Sequence, residues 1–105
     1  MAEKTIMLCC AAGMSTSLLV SKMQKAAEAQ GLDAEIFATG ASDADNQLES
    51  KKIDCVLLGP QVRFMEGQFK EKLAPKGIGV EVIDMKAYGI MDGETVLKQA
   101  LALIG

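Results

Sequence analysis

The chain contains no histidine, and that absence removes several chemistries at once: Ser–His and Cys–His nucleophile pairs, and every metal site that needs an imidazole. Its three cysteines are Cys9, Cys10 and Cys55. They have neither the CxxC spacing of a zinc or thioredoxin-like site nor the even number of a disulfide framework, a usage that fits a reducing compartment. No metal and no cofactor is expected. Tryptophan is absent, aromatics make up 4% of the chain and the net charge is -3, so the basic, aromatic-interleaved footprint of a nucleic-acid binder is missing. The longest apolar stretch, Ile6 to Met14, is far short of the ~20 residues that cross a bilayer. Cys9 and Cys10 near the start suggest a lipoprotein signal only superficially, because Ile6, Met7 and Leu8 alone would form its core. A cytoplasmic protein with no direct membrane insertion is expected.

What is present is a globular composition. Half of the 105 residues are apolar and 24% are charged, with only two prolines, which suits one domain over residues 1–105 with its own core. Thr5 to Cys9 is a short apolar run, followed by Ala-Ala-Gly and Ser-Thr-Ser, the punctuation of a strand turning into a helix. Leu19, Met23, Ala26, Ala27 and Gln30 follow at helical spacing, with Gly31 as a closing residue. Alternation at Ala34, Ile36 and Ala38 predicts a second strand; Gly40 to Asn46 reads as a loop and Gln47 to Lys51 as a short helix. Ile53 to Leu58 suits a central parallel strand ending at Gly59-Pro60. Val62, Met65, Phe69 and Leu73 form a helical stripe with Glu66 and Lys70 paired on its wet face, and Pro75 and Gly77 stop it. Ile78 to Ile83 is a fourth strand, Asp84 to Met91 a loop, and Asp92 caps a last helix carrying Val96, Leu97, Ala100, Leu101 and Ile104.

Four strands alternating with helices predict an α/β fold: an open parallel sheet in the order 2-1-3-4 with helices on both faces and right-handed crossovers. Ligands of such sheets bind beyond the carboxyl ends of the strands where strand order reverses, here between strands one and three. Cys10 and Gly59-Pro60-Gln61 both fall there.

The segment Cys10, Ala11, Ala12, Gly13, Met14, Ser15, Thr16, Ser17 has the chemistry of an anion cradle. Gly13 permits a positive-φ turn, the amides from Ala11 to Ser17 can turn inward, and the following helix adds partial positive charge at its start. The same field favours a thiolate, which makes Cys10 a candidate nucleophile without a histidine. An alternative stays open on these residues alone: Cys10 as a small buried hydrophobe, with the segment a plain turn capped by Ser15. Cys9 should face the opposite side of the strand, into the core, and Cys55 lies within an apolar run; both read as structural.

Low-molecular-weight tyrosine phosphatases place Cys-x5-Arg-Ser/Thr in a loop at this topological position. Here the arginine position is Thr16, and Arg63, near the start of the third helix, is the only arginine in the chain. Without a guanidinium to clamp phosphate bidentately, hydrolysis should be poor. A loop that takes a phosphoryl group on sulfur and does not hydrolyse it suits a carrier. A phosphatase of that type and a redox or structural thiol protein of the same fold remain the competing readings.

The stretches I-M-L-C-C-A-A-G-M-S-T-S-L-L-V-S-K-M, V-L-L-G-P-Q, V-E-V-I-D and Y-G-I-M-D-G together resemble the enzyme IIB component of the lactose/cellobiose branch of the bacterial sugar phosphotransferase system. The likeness runs from Thr5 to the last helix and implies a single type-3 IIB domain with a phosphatase-like P-loop after strand one. It implies that a IIA phosphohistidine passes its phosphoryl group to Cys10. Cys10 in turn would deliver it to a sugar, cellobiose- or chitobiose-like, bound by the membrane permease IIC, with which the protein would associate peripherally. Ala11 to Ser17 would cradle the phosphate, and Gly59, Pro60 and Gln61 would border it. Met14, Met65, Met85 and Met91 are candidates for an adaptable apolar patch around Cys10; Met65, on the helix stripe, reads better as core. Met14, Met85 and Tyr88 fall in predicted loops at the strand ends, and Arg63 reads as either a partner contact or a solvated cation.

Overall fold

The structure, a computed structural model, describes residues 4–10 and 17–104. Strand β1 (Lys4–Cys10) leads to helix α1 (Ser17–Ala29), strand β2 (Ala34–Gly40) and, after a 3-10 turn at Ala41–Asp43, helix α2 (Ala44–Ser50). Strand β3 (Cys55–Leu58) runs through a 3-10 segment (Pro60–Met65) into α3 (Glu66–Leu73), and strand β4 (Gly79–Val82) into the short α4 (Met85–Gly89) and α5 (Gly93–Ile104). The sheet has the order β2-β1-β3-β4, with each neighbouring pair parallel, which is the predicted arrangement.

Strand alternation divides the core into two. Ile6, Leu8, Cys55 and Leu57 face Leu19, Met23, Val96, Leu97 and Ala100 of α1 and α5. Met7, Cys9, Val56 and Leu58 face Ala44 of α2 and Phe69 and Leu73 of α3. The two central strands bury both faces, so β1 and β3 read as continuous apolar runs rather than alternating ones.

Several boundaries differ from the sequence reading. The segment 84–91, read as a loop, contains α4: Asp84 accepts a hydrogen bond from the Ala87 amide at 3.2 Å, and Ala87, 2% exposed, packs into the core beside α5. One turn capped by a carboxylate has too short a stripe to show as periodicity. Helix α2 starts at Ala44 rather than Gln47, anchored by that buried alanine. Strand β3 starts at Cys55 because Asp54 is used instead as a clamp: its carboxylate accepts from the Thr5 amide at 2.7 Å and its amide donates to the Thr5 carbonyl at 2.9 Å. The 62–73 stripe is interrupted at Val62 (φ -118, ψ 23), yet Val62, Phe69 and Leu73 are all buried. Glu66 and Lys70 pair at 3.2 Å as expected. Gly31 takes φ +67 at the end of α1.

Candidate functional site

The chain leaves β1 towards β2 and leaves β3 towards β4, so the crossovers diverge at the carboxyl ends of the two central strands and open a crevice between them. Cys10 is the last residue of β1 and is 1% exposed. Ladder pairing continues past the end of β3, where the Gly59 amide donates to the Cys9 carbonyl at 2.7 Å, and this draws the Gly59 backbone against Cys10. A β-carbon at Gly59 would stand 3.3 Å from Cys10 Cβ, 3.5 Å from the Cys9 carbonyl oxygen and 2.9 Å from Gln61 Oε1. Cys10, Gly59 and Gln61 are therefore brought together, with Pro60 between the last two. Ser17 opens α1; Ala11, Ala12, Gly13, Met14, Ser15 and Thr16, and the P-loop they were read to form, lie outside the described residues.

We expect Gly59→Ala to fold with a loss of about 1 kcal/mol, since the mobile end of Gln61 can yield. The rate of any transfer that the Cys10 thiol carries should fall at least about tenfold in the same variant, because a shift of a fraction of an ångström at a reacting centre suffices for that. Thermal melting and transfer rate measured side by side check the pair of outcomes.

The other two cysteines are separated from Cys10 by chemistry as well as by place. Burial pushes the Cys9 thiol up from 9.0 to about 11, with Cys10 beside it adding to the shift. Burial likewise pushes Cys55 up to about 12, helped by the charges of Asp54 and Glu81. Both are protonated at neutral pH and poor nucleophiles. They also make stability fall in alkali. Below pH 9.0 their contribution is fully present; as pH rises towards about 11 and about 12, the unfolded chain loses protons that the folded chain keeps. The loss is about 1.4 kcal/mol per pH unit for each thiol. Denaturation midpoints under reducing conditions should therefore drop between pH 8 and pH 10 and drop less in a Cys9→Ala, Cys55→Ala double variant; equal slopes would contradict this.

Beside Cys10 lies a groove of about 580 Å³ lined by Pro60, Gln61, Arg63, Phe64, Met85 and Tyr88. Phe64 is 77% exposed and Met85 59%, and Gln61 Nε2 donates to Tyr88 Oη at 3.0 Å across it. Sequence reasoning had Met85 and Tyr88 as candidates and missed Phe64. The available signal was an aromatic residue off the 62-65-69-73 stripe, on what should be a wet face. Met65 is partly buried against the α3-side core and Met91 against the α1-side core, so neither belongs to an exposed patch; Met91 instead takes a positive φ of 55 after α4. Arg63 is exposed and forms no ion pair among the described residues. No cluster of three metal-ligating side chains occurs among them, and none of their helices is long and apolar enough to cross a membrane.

A small open parallel sheet with a thiol at its switch point belongs to the class of α/β domains that act at the carboxyl edge of the sheet. Comparison with known proteins makes the class specific. The family described as "PTS system, Lactose/Cellobiose specific IIB subunit" matches residues 5–99. The galactose-specific EIIB component of Lactococcus lactis subsp. cremoris (strain MG1363) is 55% identical over 103 residues, 95% of either chain. The cellobiose-specific EIIB component of Lactococcus lactis subsp. lactis (strain IL1403) is equally similar, at 55% over 103 residues and 95% of either chain. The solution structure of the cellobiose-specific IIB component from Borrelia burgdorferi aligns with a TM-score of 0.77 at 39% identity, covering 96% of this chain and 91% of that one. The chain belongs to the lactose/cellobiose-specific IIB subunits of the sugar phosphotransferase system. It is thus a phosphotransferase, a phosphoryl carrier of a sugar-uptake system in which IIB components work with a IIA component and a IIC permease.

Proposed function

We propose that Cys10 is the residue that carries the phosphoryl group, taking it from a phosphohistidine of the IIA component and passing it to a β-linked disaccharide of the cellobiose or chitobiose kind held by the IIC permease. In the loading step the Cys10 sulfur attacks phosphorus and the S–P bond forms. The N–P bond breaks, its electron pair returns to the donor's imidazole, and the proton lost by the thiol ends on that ring. The observation that carries the reading is that Cys10 alone of the three cysteines stands at the carboxyl edge of the sheet, whereas Cys9 and Cys55 point into the two cores with their thiols held protonated.

Ala11 to Ser17 supply the amides and hydroxyls that hold the phosphate, bordered by Gly59, Pro60 and Gln61, in a single IIB domain over residues 1–105. No general base is needed within the chain, because the donor arrives activated and the acceptor's site supplies the rest. The exposed faces of Phe64 and Met85, with Arg63 lining the same groove, suit contact with protein partners. The protein works in the cytoplasm, docked peripherally on the permease.

Intact mass after incubation with a phosphoenolpyruvate-driven donor chain should rise by one phosphate group, carried on the peptide containing Cys10. A phosphate located on Cys9 or Cys55 would overturn the assignment, and rapid turnover of a phosphotyrosine substrate by the protein alone would replace the carrier reading with a phosphatase.

A further inference from the structure

Gln61 and Tyr88 come from different crossovers, one from the segment after β3 and one from α4, and their side chains meet with Gln61 Nε2 donating to Tyr88 Oη at 3.0 Å. The other end of the same amide lies against Gly59, which Cys10 also approaches. Gln61 Oε1 lies 2.9 Å, and Cys10 Cβ 3.3 Å, from the single point where a β-carbon on Gly59 would stand, so the missing side chain of Gly59 is what lets the amide and Cys10 share that space. The amide therefore spans from the groove to the Gly59 backbone beside Cys10, with its NH2 on the tyrosine side and its oxygen on the Gly59 side.

That orientation does not suit a loaded Cys10. An amide oxygen only accepts hydrogen bonds, and so do the oxygens of a phosphoryl group. Placing the two acceptors side by side is unfavourable, whereas an NH2 facing the phosphoryl oxygens makes a charge-assisted bond of roughly twice the strength of a neutral one. Tyrosine is the partner that permits the exchange, because a phenol both accepts and donates. After a half-turn of the amide, Tyr88 donates to Oε1 in place of accepting from Nε2, and the bond between them is kept with its direction reversed.

Resting on the reading of Cys10 as the phosphorylated residue, we propose that Gln61 senses loading of Cys10 by inverting its side-chain amide against Tyr88. Both residues line the groove that carries Arg63, Phe64 and Met85, so a protein seated there meets one hydrogen-bond polarity before loading and the opposite one after it. A carrier has to leave its donor once loaded and then engage its acceptor, and the inversion makes the two states distinguishable on the docking surface.

Tyr88 is the only tyrosine in the chain, so its ring carbon Cζ is a single reporter in 13C NMR, while the Gln61 NH2 signals are assigned by their disappearance in Gln61→Met. With the whole protein loaded by a phosphoenolpyruvate-driven donor chain and loading verified by mass, the Gln61 NH2 protons should move downfield. Tyr88 Cζ should move with them, in the direction that deprotonation of a phenol takes it, as a donating hydroxyl requires. Loading at Cys10 with either signal unmoved, or with Tyr88 Cζ moving the opposite way, overturns the inversion and leaves Cys10 as the carrier. Failure of Cys10 to load at all overturns the functional reading and the inversion together.

Discussion

Replacing Cys10 with serine is expected to reduce phosphoryl loading and sugar phosphorylation to background, a fall of at least about a thousandfold, in a protein that still folds. A hydroxyl occupies nearly the volume of the thiol at a position that is 1% exposed, so packing survives. A serine hydroxyl stays protonated at neutral pH, and the chain has no histidine to activate it. On the proposed reading Cys10 is the nucleophile of a covalent relay, and removing such a group costs as much as removing the whole constellation around it.

Adjacent Cys9 does not rescue the variant. Its side chain is turned to the opposite face of β1, among Met7, Val56 and Leu58, and burial pushes its thiol to about 11. Loss of the added phosphate from the intact mass, loss of sugar phosphate in a reconstituted relay and an unchanged melting curve are the three outcomes to check. A Cys10→Ser protein loaded at Cys9 would remove the basis of the assignment.

The second large effect is expected far from the crevice. Gly93→Ala should destabilise the protein by about 3 kcal/mol, at the upper end of what overpacking usually costs, and lower the melting temperature by roughly 12 °C or more. Helix propensity argues the reverse, since alanine is favoured over glycine in a helix by up to about 1 kcal/mol. Space decides the sign. A β-carbon on Gly93 would stand 2.5 Å from the Lys22 carbonyl carbon, 2.6 Å from the Met23 amide nitrogen and 2.7 Å from Lys22 Cβ, and two of those three atoms are backbone that cannot swing away. Helix α5 could accommodate the methyl group only by backing off α1, opening the core where Leu19 and Met23 meet Val96 and Leu97. A melting temperature unchanged or raised in Gly93→Ala would show that the two helices separate cheaply.

The first strand and its helix were the most legible part of the molecule. Ile6 to Cys9 is apolar without a break because both faces of a central parallel strand are buried, and the Ala-Gly-Ser-Thr punctuation after Cys10 marks where strand becomes helix. Four such alternations leave few topologies for a right-handed, uncrossed chain, so the order β2-β1-β3-β4 followed from the pattern. Cys10 was readable for the same reason: a residue type with nucleophilic chemistry, at a strand end, followed by small and hydroxyl-bearing residues.

Helix α4 was not readable, because its one turn depends on a carboxylate cap at Asp84 and on Ala87 reaching a core built mostly by distant residues. Phe64 lies off the 62-65-69-73 stripe, which marks it as an outward residue, but its place beside Met85 and Tyr88 depends on α4 and is visible only in the tertiary structure.

By itself, then, the sequence determined the α/β class, the strand order and the thiol at the switch point, all of which depend on local periodicity and chain direction. Contacts between residues far apart in the chain were decided only in three dimensions. Among these is the close approach of Gly59 to Cys10. They also include the meeting of Gln61 with Tyr88, and the requirement for glycine at Gly93. Each depends on where two backbones pass within a few ångströms of each other, and that distance is set by the packing of the whole sheet and its helices rather than by any one segment.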